Sequence, residues 1–170
     1  MAQITSGFRR ILSSSSSYQL LQDFLGARRA YRQFVDTSIL PYPGQRILDI
    51  GCGPATLFEY LPVTVEYVGM DISEEYITTA RQRYGRRAVF HCSALEKMSP
   101  RAFSNFDLVL GVGLLHHLDQ KPAERFFALA ARVLNFGGRC LTVDSCLVPG
   151  QHPFARLLIA LDRGKKPTHG

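Results

Sequence analysis

Five short stretches of this chain are almost wholly apolar and rich in β-branched residues, and helical periodicity fills the intervals between them. Residues 46–50, 65–70, 88–91, 106–112 and 139–144 are the apolar runs, and each predicts a strand. Helices are predicted over 56–61, closed by Pro62, and over 74–84, with Ser73 as N-cap and Gly85 as C-cap. Two more are predicted over 122–134, ended by Gly137 and Gly138, and over 153–161. Upstream, Leu21, Phe24, Leu25, Tyr31, Phe34 and Val35 recur at helical spacing, with Gly26 placed to separate two helices. Pro41, Pro43 and Gly44 stop that pattern, and Ser13 to Ser17 form a flexible or helix-capping run.

Strands alternating with helices predict βαβ units, hence an α/β fold of Rossmann-like, three-layer type with a mainly parallel five-stranded sheet. Near-continuous apolar strands are what a sheet covered by helices on both faces requires, and the crossovers should be right-handed. The expected organisation is an N-terminal helical segment over 1–44 that could form a lid, a nucleoside-binding core over 45–146, and a C-terminal helix with a polar tail over 147–170. No internal repeat or coiled-coil heptad is visible.

The chemistry concentrates in Ile47 to Ala55, where a strand runs into a glycine turn and then a helix. Glycine serves where a side chain would block backbone approach to a ligand or where φ must be positive. Sheets of this kind bind ligands at the carboxyl ends of their strands, near the point where strand order reverses. Asp71, 18 residues beyond Gly53 and at the end of the second strand, suits the two hydroxyls of a ribose. A dinucleotide fingerprint wants G-x-G-x-x-G/A, but Thr56 holds its third glycine place. Asp49 also stands two residues before the first glycine, where it would repel a pyrophosphate and suit an ammonium or sulfonium. Charge therefore favours S-adenosylmethionine over NAD.

Leu48-Asp49-Ile50-Gly51-Cys52-Gly53 resembles the first motif of class I S-adenosylmethionine-dependent methyltransferases. Tyr67 to Ser73 resembles their second-strand motif, Phe106 to Leu110 with Leu115-His116-His117-Leu118 their fourth-strand region, and Leu134 to Arg139 the turn before strand five. The resemblance covers about residues 45–146 in the family's order, and the flanking segments are similar to a bacterial small-molecule branch of it. It implies S-adenosylmethionine as cofactor, with S-adenosylhomocysteine as product. Gly51, Cys52 and Gly53 would pass under the methionine part, Asp49 would hold its ammonium, Asp71 the ribose, and Ile72 the adenine. Ser93, where many relatives carry Asp, and Ala94 would line the adenine edge. Gly111, expected after strand four, would offer a carbonyl to the ammonium. Ala55 stands where the family has a third glycine. In some relatives N-terminal helices cover the site, which would bring Tyr18 near.

A sulfonium is already an activated methyl donor, so the protein must chiefly align the acceptor and exclude water. A general base helps only an acceptor that carries a proton. His116 and His117, just past strand four, are candidates; the alternative is that His116 packs or bonds backbone while His117 caps the next segment. Asp144, at the end of strand five, is the third candidate.

Composition narrows the picture. The chain has 170 residues, 46% hydrophobic and 20% charged, which fits one globular domain. No apolar run approaches the ~20 residues that span a bilayer, and residues 1–17 lack a secretory apolar stretch, so a soluble, cytoplasmic protein is expected. Cys52, Cys92, Cys140 and Cys146 have no metal-site spacing; no metal is expected, and the four read as small buried thiols. Twenty Lys and Arg oppose fourteen Asp and Glu. The groups Arg28, Arg29, Arg32 and Arg81, Arg83, Arg86, Arg87 read as solvated helix faces, with an RNA surface as the alternative.

The full family fold carries seven strands, the last two an antiparallel hairpin, and this chain supplies five. Strand five should present an exposed edge. Three explanations are open: the sequence is truncated, a second copy pairs across the missing region, or the protein binds ligand without turnover. The expected activity is methyl transfer to an unidentified small molecule. The alternatives are a non-catalytic cofactor- or partner-binding module and an RNA methyltransferase.

Overall fold

The computed structural model describes residues 27–97, 103–153, 156 and 159. The segment carrying Ser13 to Ser17, Tyr18 and Gly26 lies outside them, as does most of the C-terminal region after Pro153. Of the helix expected over 153–161, Pro153, Arg156 and Ile159 are helical.

Helix α1 (Ala27–Phe34) leads into a π-helical turn over Val35–Ile39. That turn ends on Leu40 at φ 51°, the left-handed region, ahead of Pro41, which cannot continue a helix. Strand β1 (Arg46–Ile50) follows, then a single 3-10 stretch over Thr56–Tyr60, then β2 (Glu66–Asp71) and helix α2 (Glu74–Tyr84). Next come β3 (Ala88–Cys92), β4 (Phe106–Val112), helix α3 (Gln120–Val133) and β5 (Leu134–Val143). The Ser73 hydroxyl caps α2 by accepting the Tyr76 amide at 3.3 Å. Gly85 closes it in right-handed conformation, its amide donating to Arg81 O.

Sequence and structure differ most at strand five. Helix α3 stops at Val133, and β5 begins at Leu134 instead of Arg139. Leu134 pairs with Phe106, and the ladder resumes only at Arg139 opposite Leu108. Gly137, at φ 78°, therefore sits in an irregularity of the strand and not at a helix end.

All strand pairs are parallel, in the order β3-β2-β1-β4-β5. This is a Rossmann-like α/β sheet, and the chain changes direction of progress between β1 and β4. Ile47, Tyr67, Leu108 and Leu110 pack on one face with Val35, Ile39, Phe58 and Ile77. Leu48, Ile50, Met70 and Val109 pack on the other with Phe126, Leu129 and Val133. Each such side chain, once fully buried, stabilises the fold by ~1.5–3 kcal/mol, so the sheet is held as a rigid platform from both sides. β5 is one end of the sheet.

The cysteines depart from expectation: Cys92 and Cys146 are exposed, and Cys52 and Cys140 only half-buried. Cys92 closes edge strand β3 and Cys146 follows edge strand β5, where no layer covers them. No helix among the described residues is long and apolar enough to cross a membrane.

Candidate active site

The ends of β1 and β2 meet in a knot of short hydrogen bonds. Gly51 and Cys52 both donate their amides to Met70 O, at 2.8 and 3.0 Å, so the turn after β1 is sewn to β2. Gly51 and Gly53 have φ of 74° and 54°, which glycine adopts without penalty. A Cβ on Gly51 would strike Leu114 Cδ1 at 2.9 Å, whereas one on Gly53 would meet nothing within 4 Å. Gly51 is thus restricted by its left-handed φ and by the tip of Leu114, while Gly53 borders open space. Ala55 also adopts a positive φ, 58°, while fully buried, at the position of the family's third glycine.

Asp71 holds this turn. Its Oδ2 accepts the Gly53 amide at 3.0 Å and its Oδ1 the Ser73 amide at 2.8 Å. Ile72, beside it, is 76% exposed, an apolar surface open to a planar ligand. Ser93 and Ala94 follow β3, half-buried, and the Ser93 amide donates to Asp71 O at 2.9 Å. The segment after β3 is therefore tied to Asp71 through the main chain.

Asp49 lies within β1 and is 2% exposed. Tyr67 OH donates to its Oδ2 at 2.5 Å, while its Oδ1 is buried with no hydrogen-bond donor among the described residues. Burial pushes the Asp49 carboxyl up to about 6; the Tyr67 hydroxyl opposes that rise and the charge of Asp71 adds to it. Cys52, next in the turn, has its thiol pushed well up by burial, then by Asp49 and Asp71, so it is no nucleophile.

Gly111 requires a correction. It lies inside β4, buried and paired with Thr142, not after the strand. A Cβ there would meet Phe126 Cζ at 2.8 Å, so packing against α3 demands the glycine. The β1–β4 ladder stops at the Asp49–Leu110 pair, so the β1-facing edge of Gly111 and Val112 opens toward the glycine turn. The chain breaks at Gly113, φ 66°, whose amide donates to Val143 O at 2.7 Å.

That tie brings His116 onto Asp144. Asp144 Oδ1 accepts the His116 backbone amide at 3.1 Å and lies 2.8 Å from Nδ1 of its ring. The His116 side chain is 7% exposed and that of Asp144 22%. His117 is exposed, with its ring 3.9 Å from that of His116. The three catalytic candidates are thus neighbours, and two of them form one hydrogen-bonded pair. Tyr67 and Leu114 were not singled out from the sequence. Tyr67 could have been found by register, because it pairs with Ile47, two residues before Asp49, and so faces the same side of the sheet.

A family model described as a methyltransferase domain matches residues 47–138, more than half of the chain. The chain belongs to the methyltransferase domain family. Its place in the class I S-adenosylmethionine-dependent superfamily agrees with the sheet order and the glycine turn. Among curated proteins, this chain is similar to a ubiquinone biosynthesis O-methyltransferase of Bradyrhizobium: 32% identical over 123 residues, 70% of this chain and 46% of that protein. It is similar to 27-O-demethylrifamycin SV methyltransferase of Amycolatopsis mediterranei: 35% identical over 114 residues, 62% of this chain and 40% of that one. The chain spans less than half the length of these two relatives. Among solved structures, it shares its fold with the N-methyltransferase NodS of Bradyrhizobium japonicum in complex with S-adenosyl-L-homocysteine: TM-score 0.66, 21% identity, covering 79% of this chain and 69% of that one.

The residues present fit such a cofactor on three independent points. Asp49 presents a buried carboxylate oxygen with no donor, Gly53 borders open space at the turn, and Ile72 offers an uncovered apolar side chain beside Asp71.

Proposed function

We propose that this methyltransferase binds S-adenosylmethionine across the β1–β2 ends and directs methyl transfer to a small molecule whose accepting atom carries a proton. The observation that carries the reading is the Gly51–Gly53 turn bracketed by two carboxylates, Asp49 buried beneath it and Asp71 bonded to its second glycine amide. The cofactor, when bound, supplies an electrophilic methyl group on sulfonium. Asp71 would accept the ribose hydroxyls, Ile72 would cover the adenine with Ser93 and Ala94 at its edge, and Asp49 with the Gly111 carbonyl would take the ammonium.

The proton has a defined destination. In the tautomer that donates Nδ1–H to Asp144 Oδ1, the His116 Nε2 carries no proton, and Asp144 would stabilise an imidazolium formed there. An O–H or N–H acceptor would give its proton to Nε2 as its bond to the methyl carbon forms, the carbon–sulfur bond breaks and S-adenosylhomocysteine leaves. Oxygen and nitrogen acceptors are what the names of the ubiquinone biosynthesis O-methyltransferase and the N-methyltransferase NodS denote for those proteins.

Calorimetry with S-adenosylmethionine, S-adenosylhomocysteine and NAD tests the cofactor assignment: binding of the first two and not the third is expected. Methyl transfer from methyl-labelled cofactor into a small-metabolite fraction tests the activity. Cofactor binding without transfer into any fraction would leave a binding module.

A second reading, an RNA acceptor, has one observation in its favour. Arg28, Arg29, Arg32 and Arg87 line a groove of about 1220 Å³. Asp36 and Glu59 line it too, which weakens its attraction for phosphate. A steep salt dependence of RNA binding, lost when Arg32 and Arg87 are replaced together, would favour that reading.

A further inference from the structure

Tyr67 has no role in the cofactor chemistry described so far, yet it is buried, ring-packed and hydrogen-bonded to Asp49. It stands in β2 opposite Ile47, so its side chain lies on the same face as Asp49 two residues on. The residue directly opposite Asp49 is Gly69, where a Cβ would meet Cys52 Sγ and the Phe90 ring at 2.9 Å, and the Tyr67 hydroxyl reaches the carboxylate from two residues before it. The Tyr67 ring is clamped between Phe58, at 4.6 Å between centroids, and Phe90, at 6.1 Å. A phenylalanine would fill this aromatic slot equally well. Among the described residues, the hydroxyl donates to Asp49 Oδ2, and it is the one donor to that carboxylate.

We propose that Tyr67 is a positioning residue for the cofactor's amino-acid end: it anchors one oxygen of Asp49 and leaves the other as the single acceptor presented to the ammonium. The inference rests on the functional reading above and deepens it at the Asp49 subsite. Two consequences follow. The anchored carboxylate cannot turn to share both oxygens, so a misplaced ammonium finds no second acceptor. Tyr67 also supports the ionised form of a carboxylate that burial works to protonate. The other titratable groups around this pair are Asp71 at the end of β2, Cys52 in the turn and Tyr84 on α2. None of them donates a hydrogen bond to Asp49. Asp71 acts against its ionisation.

The test is Tyr67→Phe, with Asp49→Asn beside it, in calorimetric titrations between pH 5 and 7.5. Two probes are used: S-adenosylmethionine, and 5′-methylthioadenosine, which keeps adenine and ribose and has no amino-acid part. In the unaltered protein, affinity for S-adenosylmethionine should fall as pH drops through about 6, while that for 5′-methylthioadenosine stays level. Tyr67→Phe loses a bond to the charged form, so the fall should begin at higher pH, with affinity about tenfold lower near pH 6.5. Its affinity for 5′-methylthioadenosine should not change. Asp49→Asn should be weak at every pH with a flat profile. Melting temperatures record whether each variant folds.

Several outcomes overturn the proposal. If Tyr67→Phe melts earlier but keeps the parent's S-adenosylmethionine profile, Tyr67 is only a core aromatic. If it loses both probes equally, it supports the whole pocket and positions nothing in particular. If the parent binds both probes with no pH dependence, the Asp49 subsite is wrong while the wider reading stands. If the parent binds neither probe at any pH, the functional reading fails and carries this inference with it.

Discussion

The carboxylate of Asp71 accepts the backbone amide of Gly53 at 3.0 Å, so the acid at the end of one strand holds the turn at the end of the next. The same group accepts the Ser73 amide at the entry to α2. Asp71 thus shapes the crevice and, in the proposed function, faces the sugar.

Replacement of Asp71 by Ala should weaken S-adenosylmethionine binding by ~1–3 kcal/mol, the scale of lost charge-assisted hydrogen bonds. Calorimetry checks this, and a dissociation constant equal to the parent's would set the ribose assignment aside. Asp71→Asn keeps one carbonyl oxygen as an acceptor and should lose less.

Asp49 gives a prediction of opposite sign for stability. Its carboxyl is raised from 3.8 to about 6 in the fold, so burying the charge destabilises the protein above pH 6. That penalty is relieved progressively as pH falls from 6 to 3.8, and below 3.8 the group is protonated in both states. Asp49→Asn should therefore raise the urea midpoint of the ligand-free protein at pH 7.5 by the equivalent of ~1–3 kcal/mol, a gain that vanishes near pH 4. A midpoint at pH 7.5 no higher than the parent's would contradict this.

The His116–Asp144 pair predicts a split between binding and turnover. His116→Ala should lower kcat for methyl transfer by ~10²–10⁴-fold, the usual contribution of a general base. The dissociation constant of the cofactor should be unaffected. Asp144→Asn should lower kcat less, because the ring remains while its orienting carboxylate is lost. Equal loss of cofactor binding and turnover in His116→Ala would point to a structural part for the ring instead.

Two glycine replacements should fail for different reasons. Gly111→Ala places a methyl 2.8 Å from Phe126 Cζ in a packed core and should destabilise the fold by ~1–3 kcal/mol. Gly53→Ala meets no protein atom within 4 Å, so its cost to folding is limited to the left-handed φ, roughly 1–2 kcal/mol. Its main effect should be on cofactor affinity, because the added methyl projects into open space at the turn. Thermal melts and calorimetry on the two variants separate these effects.

Strand limits were legible where local chemistry is unambiguous. β1 and β4 match the apolar runs 46–50 and 106–112 residue for residue, and α2 spans 74–84 beneath the Ser73 cap. Reading failed where long-range pairing overrides local preference. Gly137 and Gly138 look like the end of a helix, yet they sit in a strand irregularity because Leu134 already pairs with Phe106.

Residue type and spacing along the chain were enough to establish a parallel α/β sheet, its glycine turn and the two acids beside it, because each depends on φ, periodicity or neighbours a few residues away. The partnerships of those groups depended on folding in three dimensions. Tyr67 reaches Asp49 through the parallel register of β2 on β1, and His116 meets Asp144 because Gly113 is tied to the end of β5. Contacts spanning 18 and 28 residues are set by strand order and register, which no local stretch of sequence encodes.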